Sequence, residues 1–270
     1  MAKKNKKAKV SKATATQSNS YLAQAATARG EYKAPVDMLF SLEEAEFGRK
    51  WPDYSVLELS DAHVPELARM ACDVRLDFGT PLATSAPIHA MRILALRKYA
   101  DFLPPLFATF KERDDYDMFV EEISQVLEAI GAPAIPHIQA FFASPEDSPY
   151  NRSAVSRGLV AIARKERALH ARAVEILVQE LERFKDNSVE WNGFLIWDLT
   201  ELGAGESLPL IEKVFAADAV DDLICGDLRG VRADFGLEVP RVDRNPRFLQ
   251  DTKALRPNPF FAWNAKKLKD

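Results

Sequence analysis

A chain of 270 residues with 47% hydrophobic side chains can bury a sizeable core, and none of its apolar stretches reaches the roughly eighteen uncharged residues that cross a bilayer. The net charge of −4 hides a segregation: residues 1–12 carry six Lys and no acid, residues 241–270 carry eight Lys or Arg against three Asp, and residues 13–240 are left at −15. An acidic body argues against a nucleic-acid grip along the body and restricts any such contact to the two basic tails.

Residues 1–30 are Lys, Ala, Ser, Thr and Gln with almost no bulky apolar side chain, so the composition predicts a disordered basic tail. No apolar segment follows those lysines as it would in a secretory leader. The two cysteines, Cys72 and Cys225, have no CxxC spacing and are expected as free thiols of a reducing, cytoplasmic compartment. Residues 31–61 scatter Tyr32, Phe40, Trp51 and Tyr54 among Pro, Gly and acids, the pattern of an irregular cap. Helical periodicity begins near residue 62 and continues to 237. Val64, Leu67, Met70, Ala71 and Val74 form a first stripe. Thr80 to Pro87, with two prolines, is expected as a loop, and the next helix as starting at Pro87. Phe119, Ile123, Val126, Leu127 and Ile130 share one face, and Gly131 closes that helix. Leu169, Ala173, Ile176, Leu177, Leu181 and Phe184 form a stripe on one helix of about 18 residues. Beyond Val239 the chain is rich in Pro and Arg, with Phe260, Phe261 and Trp263 near its end.

One phrase recurs. Leu103-Pro104-Pro105-Leu106, Ile135-Pro136-His137-Ile138 and Leu208-Pro209-Leu210-Ile211 each open a helix, and Leu127 to Ala132 reads like Leu199 to Ala204. Proline in a first turn fixes φ and forfeits no hydrogen bond, so each repeat turns tightly from one helix into the next. A helical period in the thirties of residues, with no strand alternation, predicts an all-α protein built as an α-solenoid of stacked hairpins.

On those residues the units resemble HEAT-like repeats of the bacterial type, the kind also found in phycobilin lyases. The resemblance covers roughly residues 62–237 and is carried by Leu127 through Ile138, Leu199 through Ile211 and Ala86-Pro87-Ile88-His89-Ala90-Met91-Arg92. It implies stacked hairpins whose groove holds another macromolecule. The Cys-rich zinc tail and the Asp-x-x-x-Val-Arg motif of such relatives are missing.

Four histidines, at 63, 89, 137 and 170, form no pair at ligand spacing, and HExxH does not occur, so no metal or cofactor is expected. No nucleophile–base constellation is evident, which points away from catalysis. The expected function is a non-catalytic scaffold, adaptor or assembly factor that binds a protein partner. The candidate contact residues are His89, Arg92, Glu121, Glu122, Arg157, Trp191, Asn192 and Asp198. Two alternatives follow from the resemblance. One is a bilin-lyase-like enzyme or chaperone. The other is a HEAT-like nucleic-acid-binding or glycosylase protein, for which Trp191 and Asp198, seven apart and on one helical face, would form the site.

Overall fold

The helices begin where the sequence supplies hydrogen-bond acceptors for their first N–H groups. Thr80, Ser148 and Ser188 are N-caps whose hydroxyls accept from Ala83 (3.4 Å), Asn151 (3.2 Å) and Trp191 (3.2 Å) respectively. Where no such cap exists, as at Leu103, Ile135 and Leu208, a proline occupies the first turn instead. The computed structural model describes residues 22–237 apart from 47, 49, 79, 114–116 and 145–146, and for residues 78 and 117–121 the backbone only.

Among the described residues twelve helices result: α1 (22–29), α2 (Val64–Ala71), α3 (Pro81–Leu96), α4 (Leu103–Ala108), α5 (Asp117–Ile130), α6 (Ile135–Phe142), α7 (Pro149–Lys165), α8 (His170–Glu182), α9 (Val189–Glu201), α10 (Leu208–Ala216), α11 (Asp222–Cys225) and α12 (Leu228–Asp234). Short 3₁₀ turns join several of them, and no strand occurs among the described residues, so the protein is all-α there. The packing follows chain order. Helix α2 packs on α3, α3 on α5, α5 on α7, α7 on α9 and α9 on α11, while α4 packs on α6 and α10 on α12. Helices α6 and α8 both pack against α7, and α8 also against α9. The apolar stripes line one continuous core from Ala28 to Val231.

The contact between α5 and α7 depends on a missing side chain. A Cβ at Gly158 would lie 2.5 Å from Leu127 Cδ1 and 2.8 Å from Leu127 Cβ. Glycine therefore lets the two helices approach closely, although it weakens a helix interior by about 1 kcal/mol relative to Ala. Gly131, at φ +77°, lets the chain leave α5 for α6 in a conformation that side chains disfavour.

Residues 31–61 wrap the start of this array. Val36, Leu39, Phe40, Tyr54 and Leu57 are buried, and the turn Val36–Ser41 packs on α3. The Tyr32 hydroxyl donates to Asp73 Oδ2 (2.9 Å), and Arg75 holds the same carboxylate through Nε (2.8 Å).

Residues 22–29, the stretch from Tyr21 to Arg29 where the basic tail leaves room for some helix, are helical, with Ala25 and Ala28 buried. Two expectations are corrected. Helix α3 starts at Pro81 and carries Pro87 in its interior; the Thr80 cap, about two turns before Pro87, decides the start. Helix α8 has 13 residues, since a 3₁₀ turn at Arg167–Leu169 precedes it. The expected contacts of residues 1–21 and 238–270 lie outside the described residues.

Two effects oppose each other at Gly158, and distance decides the sign. Gly158→Ala is expected to lower stability by about 1–3 kcal/mol in a urea melt, because overpacking against Leu127 outweighs the propensity gain.

Candidate functional site

The candidate residues sit on the row α3, α5, α7 and α9, and most of them turn inward. His89 is fully buried on α3; its Nδ1 meets the Tyr54 hydroxyl (2.8 Å) and its Nε2 meets Glu43 O (2.9 Å). A carbonyl can only accept, so Nε2 carries the proton and Nδ1 accepts from Tyr54. Burial lowers the imidazole pKa, which keeps the ring neutral in this role. One turn along, Arg92 forms a bidentate pair with Glu122 of α5, both contacts at 2.7 Å and both side chains 2% exposed. Its Nη2 also donates to Glu46 O (3.2 Å), and Trp51 lies over the guanidinium. The N-terminal cap thus covers the polar face of α3, with Ala45 N–H donating to Ser85 Oγ (3.0 Å) as well.

A second cluster joins α6, α7, α8 and α9. Arg152 of α7 donates to Ser144 O (3.0 Å), Phe142 O (3.2 Å) and Glu180 Oε2 (3.0 Å), and its guanidinium lies 4.7 Å from the centre of the Trp191 ring. Trp191 is buried against Phe142, and its Nε1 has no hydrogen-bond partner among the described residues. Asn192, fully buried, donates to Phe184 O (2.9 Å) and Ala219 O (2.7 Å) and accepts from Asn187 (2.9 Å).

Asp198 completes the row. It is buried, and its Oδ2 has no hydrogen-bond partner among the described residues. Burial pushes its pKa from the ordinary 3.8 up to about 7, against the lowering influences of the Ser156 hydroxyl and the Arg157 charge. Ser156, whose hydroxyl also donates to Ser153 O (3.0 Å), is itself fully buried.

The structure therefore places six of the eight candidates, His89, Arg92, Glu122, Trp191, Asn192 and Asp198, out of reach of a partner. His89, Arg92, Glu122 and Asn192 spend their hydrogen-bonding groups on neighbouring helices and on the cap, while Trp191 packs between Phe142 and Arg152. Arg157 is half-buried and engaged, and the side chain of Glu121 lies outside the described residues. The face of Trp191 that a glycosylase-like site would need is occupied by Phe142 and Arg152. Among the described residues no group of three His, Cys, Asp or Glu is placed to hold a metal ion.

Sequence reasoning passed over the partners, Arg152, Glu180 and the Arg113–Asp77 pair (2.7 Å). A signal existed. Ser148 and Ser188 each stand four residues before the side chain, Arg152 or Asn192, that captures the preceding helix end.

Other side chains among the described residues do reach the surface. A groove of about 340 Å³ between α4 and α6 has a floor of Pro104, Phe107, Ala140 and Phe141 and a polar rim of Lys111, His137 and Asp147. Near the other end, Tyr150, Val189 and Leu223 are exposed apolar side chains. Comparison of the chain with protein-family models, with curated proteins and with solved structures gave no match.

Two predictions follow from the buried charges. Arg92→Met should cost about 3–5 kcal/mol in a denaturant melt by stranding Glu122, and Arg92→Met with Glu122→Leu should recover most of that loss. A carboxyl with a raised folded pKa stabilises while protonated, and that contribution is lost as pH rises from about 4 to about 7. Asp198→Asn should therefore raise the melting temperature more at pH 8 than at pH 5; an equal shift at both would contradict the assignment.

Proposed function

We propose that this protein is an α-solenoid of HEAT-like hairpins that serves as a non-catalytic protein-binding scaffold. The serial packing supports the architecture: α3, α5, α7 and α9 each meet the next in order, and α6 and α8 pack against α7. Packing only in sequence order is what a stack of 30- to 40-residue units requires, because each unit hides its apolar stripe against its neighbours. The resemblance to bacterial HEAT-like repeats agrees with that reading.

The observation that carries the function is the groove between α4 and α6. Its floor is apolar and partly aromatic, and its rim is charged. That combination suits the apolar face of a partner helix or an extended segment with one or two large side chains, the rim fixing its direction. The polar row that would otherwise invite a catalytic reading is consumed internally, as Arg92 and Asn192 illustrate. An adaptor or assembly factor needs a rigid frame and an accessible apolar cleft, and both are supplied here.

Ala140 is exposed and lies in the groove wall, so Ala140→Arg fills the cleft without touching the core. Affinity capture with the full-length chain at low salt is expected to yield a stoichiometric protein partner whose affinity drops about tenfold or more in Ala140→Arg, at unchanged melting temperature. Recovery of no stoichiometric partner, or equal binding by the variant, would refute the proposal.

A further inference from the structure

The N-terminal cap lies on α3 as a ligand would. Ser85, His89 and Arg92 stand four and three residues apart, so they share one face of the helix. Each bonds the backbone of the segment that crosses them. The Ser85 hydroxyl, which donates to Pro81 O (2.8 Å), accepts from Ala45 N–H (3.0 Å). His89 Nε2 donates to Glu43 O (2.9 Å), and Arg92 Nη2 donates to Glu46 O (3.2 Å). The row thus offers two donors and an acceptor to two carbonyls and an N–H within the four residues Glu43–Glu46. None of the three bonds uses a side chain of the crossing segment.

Side chains enter at one point. Ala45 is 5% exposed, whereas Glu43, Glu44 and Glu46 are exposed and the segment has no regular secondary structure. A segment read through its backbone, with one small side chain buried, is held in the manner of an extended peptide. The row does not owe its geometry to that segment. Glu122 fixes Arg92 through two contacts of 2.7 Å, and the Tyr54 hydroxyl holds His89 Nδ1 (2.8 Å). Both donors therefore keep their places when the segment leaves.

The hold on the segment is light. Val36, Leu39 and Phe40 before it and Tyr54 and Leu57 after it are buried, but between Leu42 and Asp53 the only buried side chain among the described residues is Ala45. Leu42 and Trp51 are half-buried, the latter over the Arg92 guanidinium. Hydrogen bonds that water can replace contribute little net stability, so the segment can open while the anchors on either side stay docked.

We propose that the Ser85–His89–Arg92 row is a binding site for an extended peptide segment of a partner protein, and that Glu43–Glu46 closes it in cis. The incoming segment carries Ala, Ser or Gly where Ala45 sits and presents two carbonyls and an N–H at the same spacing. It replaces the cis segment bond for bond, so the buried donors of α3 are satisfied in both states. Because the cis segment competes at an effective concentration on the order of millimolar, the closed form resists weak ligands. This site is distinct from the groove between α4 and α6 and does not depend on it.

The test uses the full-length protein and a fluorescein-labelled peptide copying residues 41–52. Ala45→Arg in the protein puts a long charged side chain where only a methyl fits, which unseats the cis segment and frees the row. By fluorescence anisotropy the peptide is expected to bind Ala45→Arg at least tenfold more tightly than wild type, and the peptide that itself carries Ala45→Arg should bind neither. In wild type, hydrogen exchange at the Ala45 amide should run at least tenfold faster than in α3 and depend little on urea, the mark of local opening. That measurement decides the matter even where Ala45→Arg fails to fold. Three outcomes would overturn the proposal: a folded Ala45→Arg protein that binds the peptide no better than wild type, equal binding by the substituted peptide, or Ala45 exchanging only with global unfolding.

Discussion

A helix ends in carbonyl oxygens that it cannot satisfy, and the way this protein satisfies them ties its hairpins together. Ala71 O at the end of α2 accepts from Arg113, beyond α4. Ala129 O, near the end of α5, accepts from Lys98, just past α3. Phe142 O, the last carbonyl of α6, accepts from Arg152 of α7 and from Arg183 beyond α8. Glu201 O and Leu202 O, at the end of α9, accept from Arg164 and His170 of the preceding hairpin. Asn192 reaches both Phe184 O, past α8, and Ala219 O, past α10. Nearly every bond crosses between successive units, so it fixes their spacing and rotation. Apolar stripes alone would bury area at several rotations; a bond to a particular carbonyl selects one.

This constraint explains what the sequence did and did not reveal. Periodicity located the helices because apolar spacing is set locally, and the Pro-initiated helices α4, α6 and α10 were legible for the same reason. Pro87 misled, because proline inside a helix and proline at a helix start look alike until the cap is known, and Thr80 with Pro81 is the stronger signal. The polar residues on the inner stripes were harder. His89, Arg92, Asn192 and Asp198 occupy positions where a contact-forming side chain and a carbonyl-capturing one give the same pattern. Their partners are 30 or more residues away for Arg92–Glu122, or are backbone atoms of Glu43 and Ala219 that carry no sequence signature. The cap was legible as an irregular segment, but an irregular segment has no period, so the burial it imposes on His89 and Arg92 of α3 can be read only in three dimensions.

The same logic accounts for the distribution of charge. Arginines and glutamates are spent in pairs wherever the row is closed, as at Arg92–Glu122, Arg113–Asp77 and Arg152–Glu180. In the last hairpins the supply of bases fails, with Lys213 alone between Lys185 and Arg229. Asp198 belongs to that segment, and the charges of Arg157 and Arg164 only partly offset its burial, which pushes its pKa up to about 7.

Unsatisfied polar atoms concentrate in the same place. Of the four buried side-chain atoms without a hydrogen-bond partner among the described residues, Arg152 Nε, Trp191 Nε1 and Asp198 Oδ2 lie on α7 and α9, and only Gln125 Nε2 lies on α5. Each such atom forfeits about 1–3 kcal/mol relative to a bonded one. The two interfaces are therefore held by different means: α5 and α7 by the close approach that Gly158 permits over Leu127, α7 and α9 by the stacking of the Arg152 guanidinium on the Trp191 ring.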